Sequence, residues 1–328
     1  MDRGSLGALR WVGSLCIALI LSASAQAAGG SKTATKLPAK KLTPAASAAP
    51  GSESIQSTAF KYLISAPTAY VVRHADPDDK KSPIQTATDV QVLLLERQIS
   101  LLATEPVEYV RVVVRPLNSQ GVQSVSQIYL GFNPAYQRLA LHRIRVARVG
   151  KVVDRTRSVK LDLLRREKNL ENNLYEGDVT ALGILPDVRV DDVIDYEYSV
   201  TGSNPIFGNR YATRVNISQG YPLDEFHLRF LTPEKRAIQV RASSGVQLVR
   251  SQADGISQYE VVSKTVSPVI DEVNRPQWYD PGKRIEISEY ADWNEVRHWA
   301  EGLFKQQGEL SPTIQRQLAA WRAEGLPP

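Results

Sequence analysis

Between residues 60 and 264 the hydrophobic positions come in short runs rich in Val, Ile, Leu and Tyr, each closed by turn-forming residues. Runs at 90–99, 109–115, 122–132, 139–148, 151–159 and 193–200 form a first block, and runs at 214–219, 226–231, 238–243, 245–251 and 258–264 form a second. This spacing predicts antiparallel β structure. Arg148-Val149-Gly150-Lys151, Asn118-Ser119-Gln120-Gly121 and Gln252-Ala253-Asp254-Gly255 carry the chemistry of tight turns between strands. One helix is expected over 161–175, where Leu164, Leu170 and Leu174 give a sparse apolar stripe and Gly177 a stop.

The period changes after residue 290. Asp292 followed by Glu295 reads as a capping box, and Trp293, Val296, Trp299, Leu303 and Phe304 then share one helical face up to Gly308. Ser311-Pro312 opens a second helix with Ile314, Leu318 and Trp321 on its apolar side, and Gly325 stops it. The expected fold class is therefore mainly β: two consecutive antiparallel β-sandwich-like units, one short internal helix and a C-terminal helical pair. No internal repeat is evident. The units are placed at 59–220 and 221–289, with the helical pair at 290–328.

The first 58 residues follow neither period. A basic start (Arg3, Arg10), an apolar run over 11–21 and the exit Ala25-Gln26-Ala27 read as an export signal over 1–27, cleaved after Ala27 through small residues Ala25 and Ala27. An uncleaved anchor is the alternative, although the run is short of the roughly 20 apolar residues of a membrane span. Residues 28–58, rich in Ala, Ser, Thr, Pro, Gly and Lys, read as a flexible linker. A periplasmic or secreted location follows, with membrane contact only if the signal persists. The single cysteine, Cys16, lies inside that signal. A mature chain would then hold no thiol, so disulfides, zinc–thiolate sites and a cysteine nucleophile are excluded from it.

A hydrophobic fraction of 42% with 23% charged residues is that of an ordinary globular protein. The net charge of +5 is mild, and export removes nucleic acid as a partner, so a basic patch would meet an anionic component of the cell envelope instead. His74, His142, His227 and His298 are far apart in sequence and show no metal-ligand spacing, and no phosphate-binding glycine loop or G-x-S-x-G elbow occurs. No cofactor is implied. Two charged clusters remain. Asp187, Asp191, Asp192, Asp195 and Glu197 suit a calcium loop or an acid/base pair, but Asp195 and Glu197 alternate with Ile194, Tyr196 and Tyr198, as the solvated face of a half-buried strand would. Arg143, Arg145, Arg148, Lys151 and Arg155, with Arg157 and Lys160, project from the expected Gly150 hairpin as an anion-binding candidate or a solvated face. Trp278 reads as either a surface platform or a plug between domains.

The string from 118 to 207 carries a resemblance. Its landmarks are Gly121, Phe132-Asn-Pro-Ala-Tyr136, Leu141-His142, Arg148-Val-Gly-Lys-Val-Val-Asp-Arg155, the run 166–177, Ile184-Leu-Pro-Asp-Val-Arg-Val-Asp-Asp-Val-Ile-Asp-Tyr196 and Asn204-Pro-Ile-Phe207. Over 90–289 the chain resembles the DUF3857 family, a β-rich extracytoplasmic domain of bacteria without established function. Asp191 departs from the pattern, standing where the family's turn carries Gly. The family commonly precedes a transglutaminase-like, cysteine-protease-like domain with a Cys-His-Asp triad, and 292–299 resembles the lead-in to it. The resemblance places the triad beyond Pro328, so it assigns no catalytic residue here, His298 included. It implies an exported non-catalytic module, normally N-terminal to a transglutaminase-like cysteine enzyme that is missing or separately encoded. The alternative is a free-standing binding protein for an envelope glycan or protein. An enzyme built on the 187–197 carboxylates is a third reading.

Overall fold

The computed structural model describes residues 60–77, 88–165, 177–269, 276, 279–304 and 310–324. The export signal, the linker and Trp278 lie outside the described residues. Among those described, no helix is long and apolar enough to cross a membrane.

Nine strands form the main sheet. They are β1 (Tyr62–Ile64), β2 (Val90–Ser100), β3 (Val107–Pro116), β5 (Arg138–Arg148), β6 (Lys151–Asp154), β9 (Val193–Thr201), β11 (Leu223–Pro233), β13 (Val249–Ala253) and β14 (Ile256–Val266). The order is β1-β5-β9-β3-β2-β11-β14-β13, with β6 hairpinned onto β5. Two three-stranded antiparallel sheets accompany it. One joins β4 (Gln127–Phe132), β8 (Val179–Ile184) and β7 (Leu161–Arg165) in that order; the other joins β10 (Ala212–Asn216), β15 (Arg284–Ser288) and β12 (Gln239–Ala242). The helices are α1 (Ser119–Val125), α2 (Trp293–Leu303) and α3 (Pro312–Ala323).

The mainly β class, the short internal helix and the C-terminal helical pair are as expected. The two blocks of strands meet in one sheet: β11 pairs in parallel with β2, Phe226 opposite Leu95 and Phe230 opposite Ile99. A parallel partner so distant in sequence leaves no hairpin signature for a sequence reading to find.

Two local expectations need correction. The 118–121 string is a helix N-terminus instead of a hairpin turn: Asn118 accepts a hydrogen bond from the Gly121 N–H at 2.9 Å, so 122–125 is helical and the strand begins at Gln127. A Cβ on Gly121 would collide with the Asp89 carbonyl, which accounts for this landmark glycine. The helix expected over 161–175 begins instead as strand β7, while 166–175 lies outside the described residues. Leu161 packs where Gly183 of β8 has no side chain, and Leu164 stays exposed; Leu170 and Leu174, the rest of the expected stripe, lie outside the described residues. The Gly150 and Gly255 hairpins are as expected, with positive φ at Val149 and Gly150 and at Asp254 and Gly255.

Both small sheets cover the same face of the main sheet. One apolar cluster takes Val110, Val112, Tyr196, Tyr198 and Phe226 from the main sheet, Ile128, Leu130 and Val179 from the first small sheet, and Val215, Ile285 and Ile287 from the second. Strand alternation sends the intervening residues of β9 and β3 to the opposite face. Bulges at 92/94 in β2 and 141/143 in β5 reverse the alternation part-way along each strand. The β5 bulge puts both His142 and Arg143 on that opposite face. The β2 bulge carries Arg97 to the apolar side.

Candidate functional site: a clamped charged face and a cleft

The face of the main sheet away from the apolar core is buried as well, but with charge. Asp195 is 5% exposed and Glu197, Glu96 and Arg111 are 0% exposed, which corrects the expectation that Asp195 and Glu197 form a solvated strand face, while Asp191 is exposed in a turn. Every residue of β9 from Ile194 to Val200 is buried, because β3 and β5 flank it and both of its faces are covered. An alternating pattern reports two chemically different faces; it does not report which of them meets water.

Arg111 of β3 and the basic hairpin partner Asp195, Asp192 and Glu197, while Glu96 Oε2 and Glu197 Oε1 stay buried without a hydrogen bond. Asp195 accepts from Arg111 Nε and Nη2 at 3.1 Å, from Arg143 at 3.1 Å and from Arg145 at 2.5 Å. Arg143 also pairs with Glu197. Arg148 donates to both oxygens of Asp192, at 2.7 and 2.8 Å, and to Asp187 at 3.1 Å. Burial by itself would raise the Asp195 carboxyl, but Arg111, Arg145 and Arg143 outweigh it and hold the group below the usual carboxylate range. The structure thus joins the acidic and basic clusters as partners. Of the candidate anion-binding residues, Arg143, Arg145 and Arg148 are engaged this way; Lys151 is exposed on the hairpin and Arg155 is half-buried. Among the described residues no group of His, Cys, Asp or Glu is arranged to hold a metal ion.

A segment outside the strands, Ser65 to Pro77, with a turn at 69–70, lies over this face as a strap that the sequence did not single out. Gln98 grips it as a strand would: Val72 N–H donates to Gln98 Oε1 at 3.0 Å and Gln98 Nε2 donates to Val72 O at 2.6 Å. Arg73 pairs with Glu197 at 2.7 Å, His74 Nδ1 donates to Glu96 at 2.8 Å, and Arg111 donates to His74 O at 3.0 Å and to Asp76. The Glu96 hydrogen bond raises the His74 pKa above its usual value. His227, whose ring lies 4.4 Å from that of His74, is pushed down by burial and by the neighbouring cation.

His142, the bulged residue of β5, donates from Nδ1 to Ser65 O at 2.8 Å, which leaves Nε2 to accept from the Ser199 hydroxyl at 2.7 Å. A serine held by a histidine invites a nucleophilic reading. Ser199, however, is 3% exposed in mid-strand and Tyr109 stacks on the imidazole, so the pair serves to fasten the strap.

The second feature is a cleft of about 890 Å³ between the two small sheets. Arg97 and Glu108 lie at its floor, β4 and β8 form one wall, the outer row Arg214–Glu286–Arg241 forms the other, and the start of α2 stands at the rim. Asp292 caps α2 by accepting from the N–H groups of Asn294 and Glu295, as expected, while Glu295 reaches back to the N–H of Ala291, one residue before the cap, instead of to that of Asp292 as a capping box would. Trp299 docks α2 by donating to Ile206 O at 2.8 Å between the rings of Phe207 and Tyr290, and Arg210 pairs with Glu295 at 2.6 Å. The other bulky residues of the helical faces, Trp293, Phe304, Ile314 and Trp321, remain exposed, Trp293 and Phe304 by more than four-fifths.

With this geometry established, the comparisons can be placed on it. The model of a family described as a domain of unknown function with solved structure, DUF3857, matches residues 104–270. That span runs from β3 to the end of β14 and omits the strap, β2 and the C-terminal helices. No curated protein matches the sequence. Among solved structures, a candidate protease from Parabacteroides distasonis ATCC 8503 is similar in fold, with a TM-score of 0.55 and 14% identity over 68% of this chain and 48% of that one. The chain therefore spans about half the length of that protein. More distant is an M1 zinc metallopeptidase from Deinococcus radiodurans, with a TM-score of 0.32 and 9% identity over 61% of this chain and 42% of that one.

Proposed function

The chain belongs to the DUF3857 family, and from that membership we propose that it is an exported, non-catalytic β module that carries and positions a transglutaminase-like catalytic domain. The exposed aromatic face of α2 and α3 is the observation that carries this reading. Burial of a large apolar side chain is worth about 1.5 to 3 kcal/mol. Trp293, Phe304, Ile314 and Trp321 forgo that gain together, while their helices are individually well capped. Trp299 fixes the direction in which α2 leaves the β scaffold, so a domain following the helices would be held in a set orientation. The name of the P. distasonis protein, about twice the length of the part it shares with this chain, supports the same reading. The charged face supports it by its chemistry: Asp192, Asp195 and Glu197 are held by arginines and His74 and His142 by contacts with the strap, which suits a rigid frame better than a reaction centre.

The test is direct. The purified chain should release no label from fluorescein-casein and incorporate no dansylcadaverine into casein. The coding sequence beyond Pro328, or a neighbouring gene, should specify a Cys-His-Asp domain that binds the chain and loses affinity on Trp293→Ala. Turnover by the chain alone that disappears on substitution of one of its own residues would overturn the proposal.

A further inference from the structure

Three of the four histidines gather at the strap; the fourth, His298, is exposed on α2. His74 lies in the strap itself, His142 donates to Ser65 O where the strap begins, and His227 lies against the His74 ring. Two ion pairs fasten the strap to buried carboxylates, Arg73 to Glu197 and His74 to Glu96. Each of these carboxylates has a sheet histidine beside it. Glu96 stands opposite His227 in the register of β2 and β11, and Glu197 acts on His142 as a neighbouring negative charge.

Both sheet histidines make their contacts in the neutral form. His227 Nε2 donates to Glu225 at 3.2 Å, since a carboxylate only accepts, and its Nδ1 is buried without a hydrogen bond. A proton on Nδ1 would set a second charge beside His74, whose ring centre is 4.4 Å away. His142 Nε2 accepts from the Ser199 hydroxyl, so a proton there turns that hydroxyl round and adds a charge close to Arg73. The groups around His227 are His74 of the strap, Glu96 of β2 with Arg111 of β3 beyond it, Glu225 and Arg229 of β11, and Glu260 and Lys264 of β14. Those around His142 are Arg73 of the strap, Tyr109 of β3, Glu197 of β9 and Arg143 of β5. Burial holds both imidazoles below the usual histidine value, which places their protonation on the acid side.

We propose that the strap is a latch opened by acid: a proton on His142 and one on His227 give Glu197 and Glu96 cationic partners within the sheet, and Arg73 and His74 are released. His74 sets the other limit. Its raised pKa favours the closed strap as pH falls towards about 6.5, but below that value it is protonated with the strap up or down. The two sheet histidines have depressed values, so what their neutral forms contribute above about 6.5 is lost as pH falls through the folded values. From there downward they decide the position of the strap. The device goes beyond the scaffold role and does not depend on it.

Hydrogen exchange of the full chain reads the latch, because the Val72 N–H donates to Gln98 Oε1 and the Ser65 N–H to Leu141 O. Protection of peptides covering 65–74, corrected for the intrinsic rate, should fall at least about tenfold between roughly pH 6.5 and 5.0, while that of β3 and β9 stays constant. His142→Gln and His227→Gln should each leave about half of the logarithmic slope, and the two together should abolish it. The proposal is overturned if protection of the strap does not fall, if it falls only in step with β3 and β9, or if the decline survives in the double variant. Should the double variant not fold, an undiminished decline in His227→Gln alone overturns it.

Discussion

The two faces of the nine-stranded sheet are both removed from water, by opposite means. One is covered by two further sheets and filled with Val, Ile, Leu, Phe and Tyr, a contact that is non-directional and tolerant of many side-chain exchanges. The other is covered by a single strap of chain and filled with arginines, carboxylates and histidines whose positions are mutually dependent. A buried ionic network adds little net stability over an apolar one, but it is costly to break, because each deletion strands a charge. The apolar face accounts for why the sheet folds. The charged face accounts for why one segment, Ser65 to Pro77, has one place to lie.

The largest expected effect is on the apolar side. Phe226→Ala should cost about 3–5 kcal/mol in urea unfolding, since Phe226 is 0% exposed within the shared cluster. That loss should hardly vary with pH. On the charged side Arg111→Met should cost about 3 kcal/mol, at the lower end for one partner of a buried pair, because Arg143 and Arg145 still face Asp195. A cost below that of an exposed pair, under about 1 kcal/mol, would mean that the two faces do not differ in the way described.

The histidines sharpen the contrast through pH. The folded-state pKa of His74 is raised, so its contribution is fully present below its unfolded value of about 6.5 and is lost as pH rises through the folded value. The folded-state pKa of His227 is lowered, so its contribution is present above about 6.5 and is lost as pH falls through the folded value. Denaturation midpoints measured between pH 5.5 and 8.5 should therefore peak near the middle of that range. His74→Gln should remove the alkaline decline. An alkaline slope unchanged in that variant would show that the strap is not held through Glu96.

The smallest effect concerns Asp191 in the turn before β9. Asp191 has φ +68°, a conformation that glycine adopts without penalty. Asp191→Gly should raise stability by about 0.5 kcal/mol, the relief of strain being partly offset by the greater chain entropy of Gly in the unfolded state. No gain would indicate that the Asp side chain contributes to the turn that positions Asp192 for Arg148.

Much of the fold was legible because it is local. The Val149-Gly150 and Asp254-Gly255 hairpins, the Asp292 and Ser311 caps and the strand runs each depend on neighbours within a few residues. The misreadings mark where local patterns are degenerate. Asn118 can open a turn or cap a helix, and 161–165 reads as the start of a helix until Gly183 is seen to make room for Leu161 in a strand. The site was legible only in pieces: the acidic and basic clusters were visible, but their pairing was not. Arg111 and Asp195 are 84 residues apart, and the strap reaches Glu197 from 124 residues away. The cleft was not legible as a site, although the landmarks Phe132, Tyr136, Asn204 and Phe207 line it, because it lies between surfaces drawn from both strand blocks.

By itself, then, the sequence determined the class of the fold, the hairpins and caps, the family and the set of charged residues, since each is written in spacing or residue type. Tertiary structure decided which strands share a sheet, that β9 is covered on both faces, that its acids bind arginines instead of water, and that a cleft opens beside α2. These outcomes depend on parallel pairing and on long-range burial, whose loop-closure entropy depends only weakly on sequence separation and so leaves no periodic mark in the chain.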